Sequence, residues 1–461
     1  MRKTVPMFGE YTDAQWAGLG LVYLGIALVA ALVIRRFIPL LARLYLPASV
    51  IAGFLVLLLG PQVLGLTGFS LIPAQAVDVM SRLPGLLINV VFAGIMIGKA
   101  LPSVKQIWND AAPHVILGSV FSFGQFALGA FAVVFVLTPL FGIPDAAGSI
   151  LELSFAGGHG TIAGMGGLLS EAGAPEMIDV GLGLATISMI TGVVGGSILV
   201  NYAVRSPRIH VARNSAARGE DAGRMQEVRP NEGDQAGEAG LGSISRSFGG
   251  IAIAIAIAIV ILTLLRAATN AVGSDVFDRF PLFPFTVIGG FLVQLVLTLT
   301  KHEHLVERRT VNDITGLALD ILIAAAIGTM SLAALGSNIP ALVILTIIAF
   351  AWSVLGMLWL GPRIHVGDWF EHAIADYGQS QGNVATGFVL ADMADPDRHT
   401  GAARAYGYKQ LIYEPFLGGG ILTAFSIPII LQIGSLWFGV ISLAATMVLI
   451  GWGMRRRRAA R

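Results

Sequence analysis

Long apolar runs without a charged residue recur along the whole chain. The clearest runs cover 17–34, 180–204, 247–265, 280–300, 321–362 and 415–454. An α-helix needs about 20 residues to cross a lipid bilayer, and four of the runs are close to that length, while 321–362 and 415–454 are each long enough to hold most of two spans. A soluble protein with buried helices does not produce charge-free runs of this length so often. The pattern therefore predicts an all-α polytopic membrane protein.

The ends of these runs predict eleven transmembrane helices. The predicted spans are 16–38, 45–61, 83–101, 113–140, 177–204, 247–268, 281–300, 312–333, 338–361, 404–430 and 433–454. Two further apolar segments, 146–170 and 370–394, contain too much glycine and too many polar residues to be simple spans, so we interpret them as re-entrant hairpins. The polar segment 206–246 is predicted to be a flexible cytoplasmic linker.

The placement of Lys and Arg indicates the orientation. With the N-terminus outside and both hairpins returning to the side they enter, 23 of the 29 Lys and Arg residues lie on the cytoplasmic side and five lie outside, while Lys409 lies inside a span. This is the positive-inside bias of a multi-pass protein of a bacterial-type inner (cell) membrane. The arginines at 455–458 place the C-terminus in the cytoplasm. The polar N-terminus has no cleavage site before the first span, which predicts a retained helix rather than a signal peptide.

An internal repeat divides the chain into two halves. PASVIAGFLV at 47–56 matches PFTVIGGFLV at 284–293 in seven of ten positions. Three shorter matches follow in the same order, and the first of them places Asn89 opposite Asp320. They are GL at 85–86 and 316–317, GTIA at 160–163 and GNVA at 382–385, and GGSIL at 195–199 and GGGIL at 418–422.

Each half holds five predicted spans and one hairpin, and because five is odd the second half must be inverted in the membrane. We predict a first repeat at 1–205, the linker at 206–246, a second repeat at 247–432, and an extra transmembrane helix with a basic cytoplasmic tail at 433–461. Inverted repeats with broken elements are typical of secondary transporters, which bind substrate between the repeats near the midplane of the membrane.

The two hairpins carry the predicted binding site. The first reads SFAGGHGT at 154–161 and the second DYGQSQGNVAT at 376–386. Backbone N–H groups at a Gly-rich tip suit a carboxylate, and carbonyls with hydroxyls suit Na⁺. The alternatives are that the glycines serve only close helix packing and that the histidine only braces its loop. The predicted substrate- and ion-binding residues are Ser154, Gly157, Gly158, His159, Gly160, Thr161, Gln379, Ser380, Gln381, Gly382, Asn383 and Thr386.

Ionisable residues within the membrane are candidates for contact with a coupling ion. Asp320 is either such a site or an interfacial acid. Glu414, which precedes a proline, could bind Na⁺, carry a proton or pair with Lys409, and Lys409 could instead extend its ammonium group to the interface. The acids on the hairpin arms could contact an ion or lie exposed. The coupling-ion candidates are Asn89, Asp320, Glu414, Glu152 and Asp376.

Composition excludes several other functions. The chain is 55% hydrophobic and 12% charged, whereas soluble domains have about 25% charged residues. With no cysteine among 461 residues, disulfides and thiolate sites are excluded. A net charge of +1 gives no reason to expect a nucleic acid partner. The sequence has no enzyme or cofactor motif, and the pair His302 and His304 has no third ligand nearby, so Na⁺ is the only metal expected and its ligands stay open.

The motif GGHGT at 157–161, together with a second Gly-rich motif in the other half, resembles the sodium/glutamate symporter family. The resemblance covers most of 16–430 and implies two inverted five-helix repeats with re-entrant loops, coupling to Na⁺, and a homodimer. The second motif departs from the family pattern G-H-C-G-F-G-L-G-A-T-P. Gly382, Ala385 and Thr386 hold, while the His-Cys pair and the proline are replaced.

The leading hypothesis is Na⁺-coupled symport of a small carboxylate, such as glutamate or another acidic amino acid, by alternating access across the two hairpins. The alternative within transport is a carrier coupled to protons through Asp320 or Glu414, or an antiporter of organic anions. The alternative from another class is a channel, or a membrane sensor that binds a ligand without moving it.

Overall fold

A computed structural model describes residues 11–43, 46–99, 104–206, 241–274, 277–278, 280–396 and 398–459, and within these residues every regular element is a helix. The α-helices of the first half are α1 Asp13–Phe37, α2 Pro39–Arg43, α3 Ala48–Leu59, α4 Ala74–Met80, α5 Leu83–Ala93, α6 Val104–Ala132, α7 Thr138–Phe141, α8 Ile150–Phe155, α9 Gly158–Gly164, α10 Gly166–Glu171 and α11 Glu176–Arg205. Those of the second half are α12 Leu241–Ala271, α13 Phe283–Leu299, α14 Arg308–Gly328, α15 Leu332–Ser337, α16 Ile339–Ile364, α17 Trp369–Ser380, α18 Val384–Ala394, α19 Ala402–Tyr413 and α20 Ile421–Ala459.

Nine helical stretches of the described chain are long and apolar enough to cross a membrane, which makes the chain a multi-pass membrane protein. The prediction had eleven spans, and the difference lies in the second half. Helix α13 has only 17 residues. The predicted spans 404–430 and 433–454 are replaced by the 12-residue α19 and the long α20, which bends at Gly434, where φ is 79° and ψ is 156°.

The predicted linker lies largely outside the described residues. At its C-terminal end the structure differs from the prediction, because α12 begins at Leu241 rather than near residue 247. The repeat boundaries and the opposite orientation of the two halves stay predictions.

The helices pack in two groups, and each half of the chain contributes to both. In the first group α1 packs on α3 and α4, α3 packs on α14, and α13 packs on α5 and α12. In the second group α6 packs on α16, α17, α19 and α20, while α11 packs on α8, α9, α17 and α18. Helix α9 contacts α5 and α14 and so joins the two groups. The polar residues described below belong mainly to the second group.

Repeated glycines make reciprocal contacts between the halves. A Cβ at Gly53 of α3 would lie 2.6 Å from Cβ of Ile327 on α14, and one at the matching Gly290 of α13 would lie 2.2 Å from the Ala93 carbonyl oxygen on α5. Helix α3 of the first half thus packs closely on α14 of the second half, and the matching α13 of the second half packs closely on α5 of the first. Such contacts between small residues replace the hydrophobic effect as a packing force in lipid. The repeated motif at 47–56 and 284–293 therefore has a packing role.

Replacement of Gly289 by alanine is expected to destabilise the fold. Its Cβ would lie 2.1 Å from the Ala254 carbonyl oxygen, so α13 would have to move away from α12. Overpacking of this kind costs about 1–3 kcal/mol. The measurement is thermal unfolding of the detergent-solubilised protein. The matched control is Gly249→Ala on α12, where a Cβ meets nothing within 4 Å and alanine should stabilise the helix by up to about 1 kcal/mol. If Gly289→Ala and Gly249→Ala unfold at the same temperature, a packing role for Gly289 between α12 and α13 would be contradicted.

Candidate functional site

Within the first predicted hairpin, the short helices α8 and α9 meet at a glycine pair, and α10 follows them. Gly158 has φ +75°, a backbone conformation that favours glycine. Thr161 Oγ1 donates to the Gly157 carbonyl at 2.9 Å and closes the turn. His159 is buried, and its Nε2 lies 2.9 Å from Thr186 Oγ1 on α11. The tip is therefore held from α11, and the bracing role considered for the histidine agrees with this contact.

The remaining predicted residues of the first tip face the packed interior. Ser154 is fully buried, and its hydroxyl has no hydrogen-bonding partner among the described residues. A Cβ at Gly181 of α11 would lie 3.2 Å from that hydroxyl, so the absence of a side chain there makes room for it. A Cβ at Gly160 would lie 3.0 Å from Leu319 Cδ1 on α14. These two positions thus border α11 and α14, respectively.

Glu152, one turn before the first tip, is a buried carboxylate without a basic partner. It is 0% exposed, and no Lys, Arg or His forms an ion pair with it in the described part of the chain. Oε1 accepts hydrogen bonds from the Gly418 N–H at 3.2 Å and from Thr423 Oγ1 at 3.0 Å. Beside the carboxylate, the Ser122 hydroxyl lies 2.6 Å from Tyr413 Oη. Surface exposure, considered as an alternative for this acid, is wrong.

The second predicted hairpin consists of α17 and α18, joined by a short turn. Asn383 caps α18, because its Oδ1 accepts from the Thr386 N–H at 2.9 Å. A Cβ at Gly382 would lie 2.9 Å from Thr386 Oγ1, and one at Gly378 would lie 2.8 Å from the Gly387 Cα atom. Gly378 therefore lets α17 and α18 approach closely, as the packing explanation requires, whereas the nearest atom to a Cβ at Gly382 belongs to its own turn.

Two side chains of this turn are held by neighbouring helices. Gln381 donates to the Ala349 carbonyl at 2.8 Å and to Ser353 Oγ at 2.9 Å, both on α16. Its Oε1 accepts from Thr191 Oγ1 of α11 at 3.2 Å. Ser380 Oγ donates to Ser353 Oγ at 3.2 Å. The second tip is therefore fixed between α11 and α16.

The segment 418–420, between α19 and α20, lies against both tips. A Cβ at Gly418 would lie 3.4 Å from the Ala156 carbonyl oxygen and 3.9 Å from Gln379 Nε2. A Cβ at Gly419 would lie 2.5 Å from Thr161 Oγ1. Both glycines have positive φ, 64° and 106°. The structure thus brings residues of the first tip and of the second hairpin together around a largely buried stretch of backbone.

The two tips contact neighbouring turns of α11. Thr186 contacts His159 of the first tip, and Thr191 contacts Gln381 of the second. Five residues of an α-helix advance about 7–8 Å along its axis. The two predicted motifs, more than 200 residues apart in sequence, therefore lie close together along α11.

A buried ion pair lies behind the second tip. Lys409 Nζ donates to Asp376 Oδ1 at 2.9 Å and to Gln379 Oε1 at 2.7 Å, and it lies 4.3 Å from the centre of the Tyr413 ring. Gln379 Nε2 in turn donates to Gln410 Oε1 at 2.9 Å. Both charged residues are 0% exposed. The interfacial position considered for Lys409 and the exposed one considered for Asp376 are therefore wrong.

Three histidines that the sequence did not single out surround the same carboxylate. His114 Nδ1 lies 2.9 Å from Asp376 Oδ2, and His365 Nε2 lies 3.4 Å from it. His114 Nε2 lies 2.8 Å from His372 Nδ1. His114 and His365 are buried and His372 is half-buried. The centres of the three rings are 4.7–5.3 Å apart.

One nitrogen from each histidine lies within 4.8 Å of the others, which is close enough for three ligands of a transition metal. The charge of the surroundings does not favour such an ion. Asp376 is already neutralised by Lys409, so a divalent cation would add two uncompensated positive charges to a buried site. Hydrogen bonds that link His372, His114 and Asp376 require no added charge.

A polar stripe on α6 contacts the second hairpin, Lys409 and Tyr413. The stripe consists of His114, Gly118, Ser122 and Gln125. These positions are three or four residues apart and so share one helix face. Gly118 makes room for Lys409, whose Nζ would lie 2.4 Å from a Cβ there, and Gln125 Nε2 donates to the Ser380 carbonyl at 2.9 Å. This periodicity was the sequence signal that could have identified His114.

The other predicted coupling residues have different surroundings. Asn89 donates to the Gly85 carbonyl of its own helix at 2.9 Å, and Asp320 is exposed on α14. Glu414 Oε2 lies 3.7 Å from Lys99 Nζ. The pairing of Glu414 with Lys409, considered as an alternative, is therefore wrong. Glu414 and Lys99 border a cleft of ≈ 230 Å³ between α5, α14 and the end of α19.

A model of the family described as sodium/glutamate symporter matches residues 17–360 of the chain. The chain belongs to the sodium/glutamate symporter family. It is therefore a transporter of the sodium/glutamate symporter type and not a member of an enzyme family. A search of the curated proteins finds no match to it. The match to the symporter family includes the first tip, Glu152 and His114, and it ends before α17, so that Asp376 and Lys409 lie beyond it.

Proposed function

We propose that this symporter imports a small carboxylate, such as glutamate, by Na⁺-coupled alternating access, with the substrate bound between the two tips. The observation that carries the proposal is Glu152. A carboxylate inside a membrane protein is costly unless a cation or a proton neutralises it. Lys409 neutralises the second buried acid, Asp376, whereas no basic side chain of the described residues pairs with Glu152. Family membership favours Na⁺ as its cation.

The neighbourhood of Glu152 supports this assignment. Carboxylate, carbonyl and hydroxyl oxygens are the ligands that hard cations prefer. Besides its own two oxygens, the acid has Thr423 Oγ1 at 3.0 Å, and the segment 418–420 next to it borders the Ala156 carbonyl of the first tip. A Na⁺ ion here would lie beside both tips, where its charge attracts an anionic substrate. Binding of the ion and of the carboxylate would thereby favour each other.

The arrangement of the helices supports two inverted repeats with re-entrant hairpins. Glycines at matched positions make reciprocal contacts, as described for Gly53 and Gly290. In the same way, Gly196 of α11 packs on Leu390 of the second hairpin, while the matching Gly419 packs on Thr161 of the first. We propose the inner membrane as the location, with the N-terminus outside and the C-terminus in the cytoplasm, on the basis of the charge distribution. The homodimer implied by the family stays a prediction.

Uptake of radiolabelled L-glutamate into proteoliposomes tests this function. An inward Na⁺ gradient is expected to raise the initial rate about tenfold or more over choline medium, since coupling free energies of 1–3 kcal/mol correspond to such factors. Unlabelled aspartate and small dicarboxylates, added as competitors, define the substrate class. Equal rates in Na⁺ and choline media would overturn Na⁺ coupling. A flux that does not saturate would indicate a channel, and binding without accumulation would indicate a sensor.

A further inference from the structure

An uninterrupted series of hydrogen-bonded groups runs from the half-buried His372 to the second hairpin. His372 Nδ1 lies 2.8 Å from His114 Nε2, and His114 Nδ1 lies 2.9 Å from Asp376 Oδ2. The other oxygen of Asp376 accepts from Lys409 Nζ at 2.9 Å, and Lys409 also donates to Gln379 Oε1 at 2.7 Å. Every step has a donor–acceptor distance that permits proton transfer or a normal hydrogen bond.

An imidazole is suited to relay a proton, because it accepts at one nitrogen and releases from the other. His114 has a partner on each side: His372 at Nε2 and Asp376 at Nδ1. A proton given by Asp376 Oδ2 to His114 Nδ1 is matched by one given by His114 Nε2 to His372 Nδ1. One proton therefore passes from the acid to the half-buried end, no charge is left on His114, and His372 releases a proton from its other ring nitrogen to water there.

His365 lies beside the same oxygen of the acid. Its buried Nε2 is 3.4 Å from Asp376 Oδ2, slightly longer than a normal hydrogen bond. An imidazole nitrogen can donate to an ionised carboxylate or accept from a protonated one, depending on its tautomer. The contact with His365 is therefore compatible with both protonation states of Asp376.

Protonation of Asp376 would also release Lys409. While the acid is ionised, the ammonium group is committed to it. Once the acid is neutral, the buried ammonium needs another anion, and Gln379, which it also contacts, lies close to the segment 418–420 between the tips. A substrate carboxylate bound there supplies that anion. The charge of the site is then conserved, because one negative charge enters together with one proton.

We propose that Asp376 takes up a proton from the side of the tips together with the substrate, that protonated Asp376 frees Lys409 to hold the substrate carboxylate, and that His114 and His372 then carry the proton away, so that each transport cycle also moves one proton. This inference rests on the proposed transport of a carboxylate and adds a second coupling ion to Na⁺. The proton enters with the substrate and leaves through the histidine pair on the side of the membrane where α6 begins.

Other charged and titratable groups face this cluster. Tyr406 and Tyr413 of α19 present their rings to Lys409. Arg457 of α20 donates to the His365 carbonyl oxygen at 3.0 Å, and Asp395 interacts electrostatically with His372. The neighbouring Glu414 is engaged with Lys99. These groups set the pH at which the relay operates, but of the acids named here only Asp376 is in hydrogen-bond contact with both a histidine and a lysine.

The test uses proteoliposomes loaded with the pH-sensitive dye pyranine, with equal Na⁺ on both sides. Addition of external L-glutamate is expected to acidify the lumen of vesicles that contain the natural protein. His114→Gln keeps a hydrogen-bonding amide but cannot relay a proton, so proton movement should fall about 100-fold or more, in the range of general acid–base effects. His302→Gln, an exposed histidine between α13 and α14, is the matched control and should acidify the lumen like the natural protein.

Uptake of labelled glutamate driven by a Na⁺ gradient is measured in parallel. Uptake without any acidification would overturn this inference and leave the proposed function intact, whereas absence of uptake under every gradient would overturn the proposed function itself. Proton movement that persists in His114→Gln would overturn the relay. Should that variant fail to fold, as judged by its elution from a gel-filtration column, His372→Gln at the half-buried end takes its place with the same expected loss.

Discussion

Glu152→Gln is expected to lower the Na⁺ stimulation of glutamate uptake about tenfold or more, in line with typical coupling free energies. The amide keeps the shape of the side chain and can still accept hydrogen bonds from the Gly418 N–H and from Thr423 Oγ1. It removes the buried negative charge, so the site no longer requires a cation. Initial rates in proteoliposomes with Na⁺ or choline outside measure the ratio, and the residual uptake of the variant should be nearly equal in both media.

The matched control for this variant is Glu303→Gln, because Glu303 is an exposed acid in the connection between α13 and α14. It should keep the Na⁺ dependence of the natural protein. If Glu152→Gln still transports and still depends on Na⁺ to the same extent, the cation binds elsewhere. Asp320 would then be the next residue to test, because it is the coupling-ion candidate among the acids that the sequence places within spans of the matched region.

Loss of either partner of the Asp376–Lys409 pair is expected to destabilise the protein strongly. Both side chains are 0% exposed, and removal of one leaves an uncompensated buried charge, which costs about 3–5 kcal/mol. The single variants are Asp376→Asn and Lys409→Met. The double variant removes both charges, so most of the stability should return, while glutamate uptake should remain lost because no ammonium is left for the substrate. Thermal unfolding in detergent and uptake by liposomes measure the two effects separately.

The exposed pair Asp392 and Arg398 provides the control for charge removal. Their side chains are 35% and 58% exposed, respectively, at a distance of 3.1 Å, and such surface pairs contribute about 0–1 kcal/mol. The corresponding single and double variants should therefore unfold close to the natural temperature and transport normally. A Lys409→Met variant as stable as the natural protein would contradict the importance of the buried pair. Full uptake by the double variant would contradict a role for Lys409 in substrate binding.

Much of the fold can be predicted from the sequence because each element is defined locally. An apolar run long enough to cross a bilayer specifies a helix wherever it lies in the chain, since its backbone must be satisfied internally. Glycine with small polar residues in turn predicts a tip, as at Gly158 and Asn383. The errors of the span prediction lie where two runs meet. Residues 414–420 break a predicted span, and α20 continues past a bend at Gly434 that apolar content alone does not reveal.

The candidate site could be predicted only in part. The residues of the two tips, Glu152 and Asp376 follow from polar or charged residues in an apolar setting, and the structure gathers the tips around the segment 418–420. The environments of Asp320, Glu414 and Lys409 could not be predicted. Which face of a helix meets a neighbour depends on packing over the whole bundle, so an acid in a span can be exposed, as Asp320 is, or paired with Lys99, as Glu414 is.

The sequence by itself determined a multi-pass helical membrane protein and membership of a symporter family, and it predicted two related halves with Gly-rich tips. These features depend on spacing within one segment or on motifs that can be compared directly. Only the tertiary structure decided that His114 lies against Asp376, which follows it by 262 residues, and that Lys409 neutralises this acid while Glu152 has no basic partner among the described residues. The reason is physical: charge compensation in a membrane interior is a property of neighbours in space, and a linear chain does not specify them.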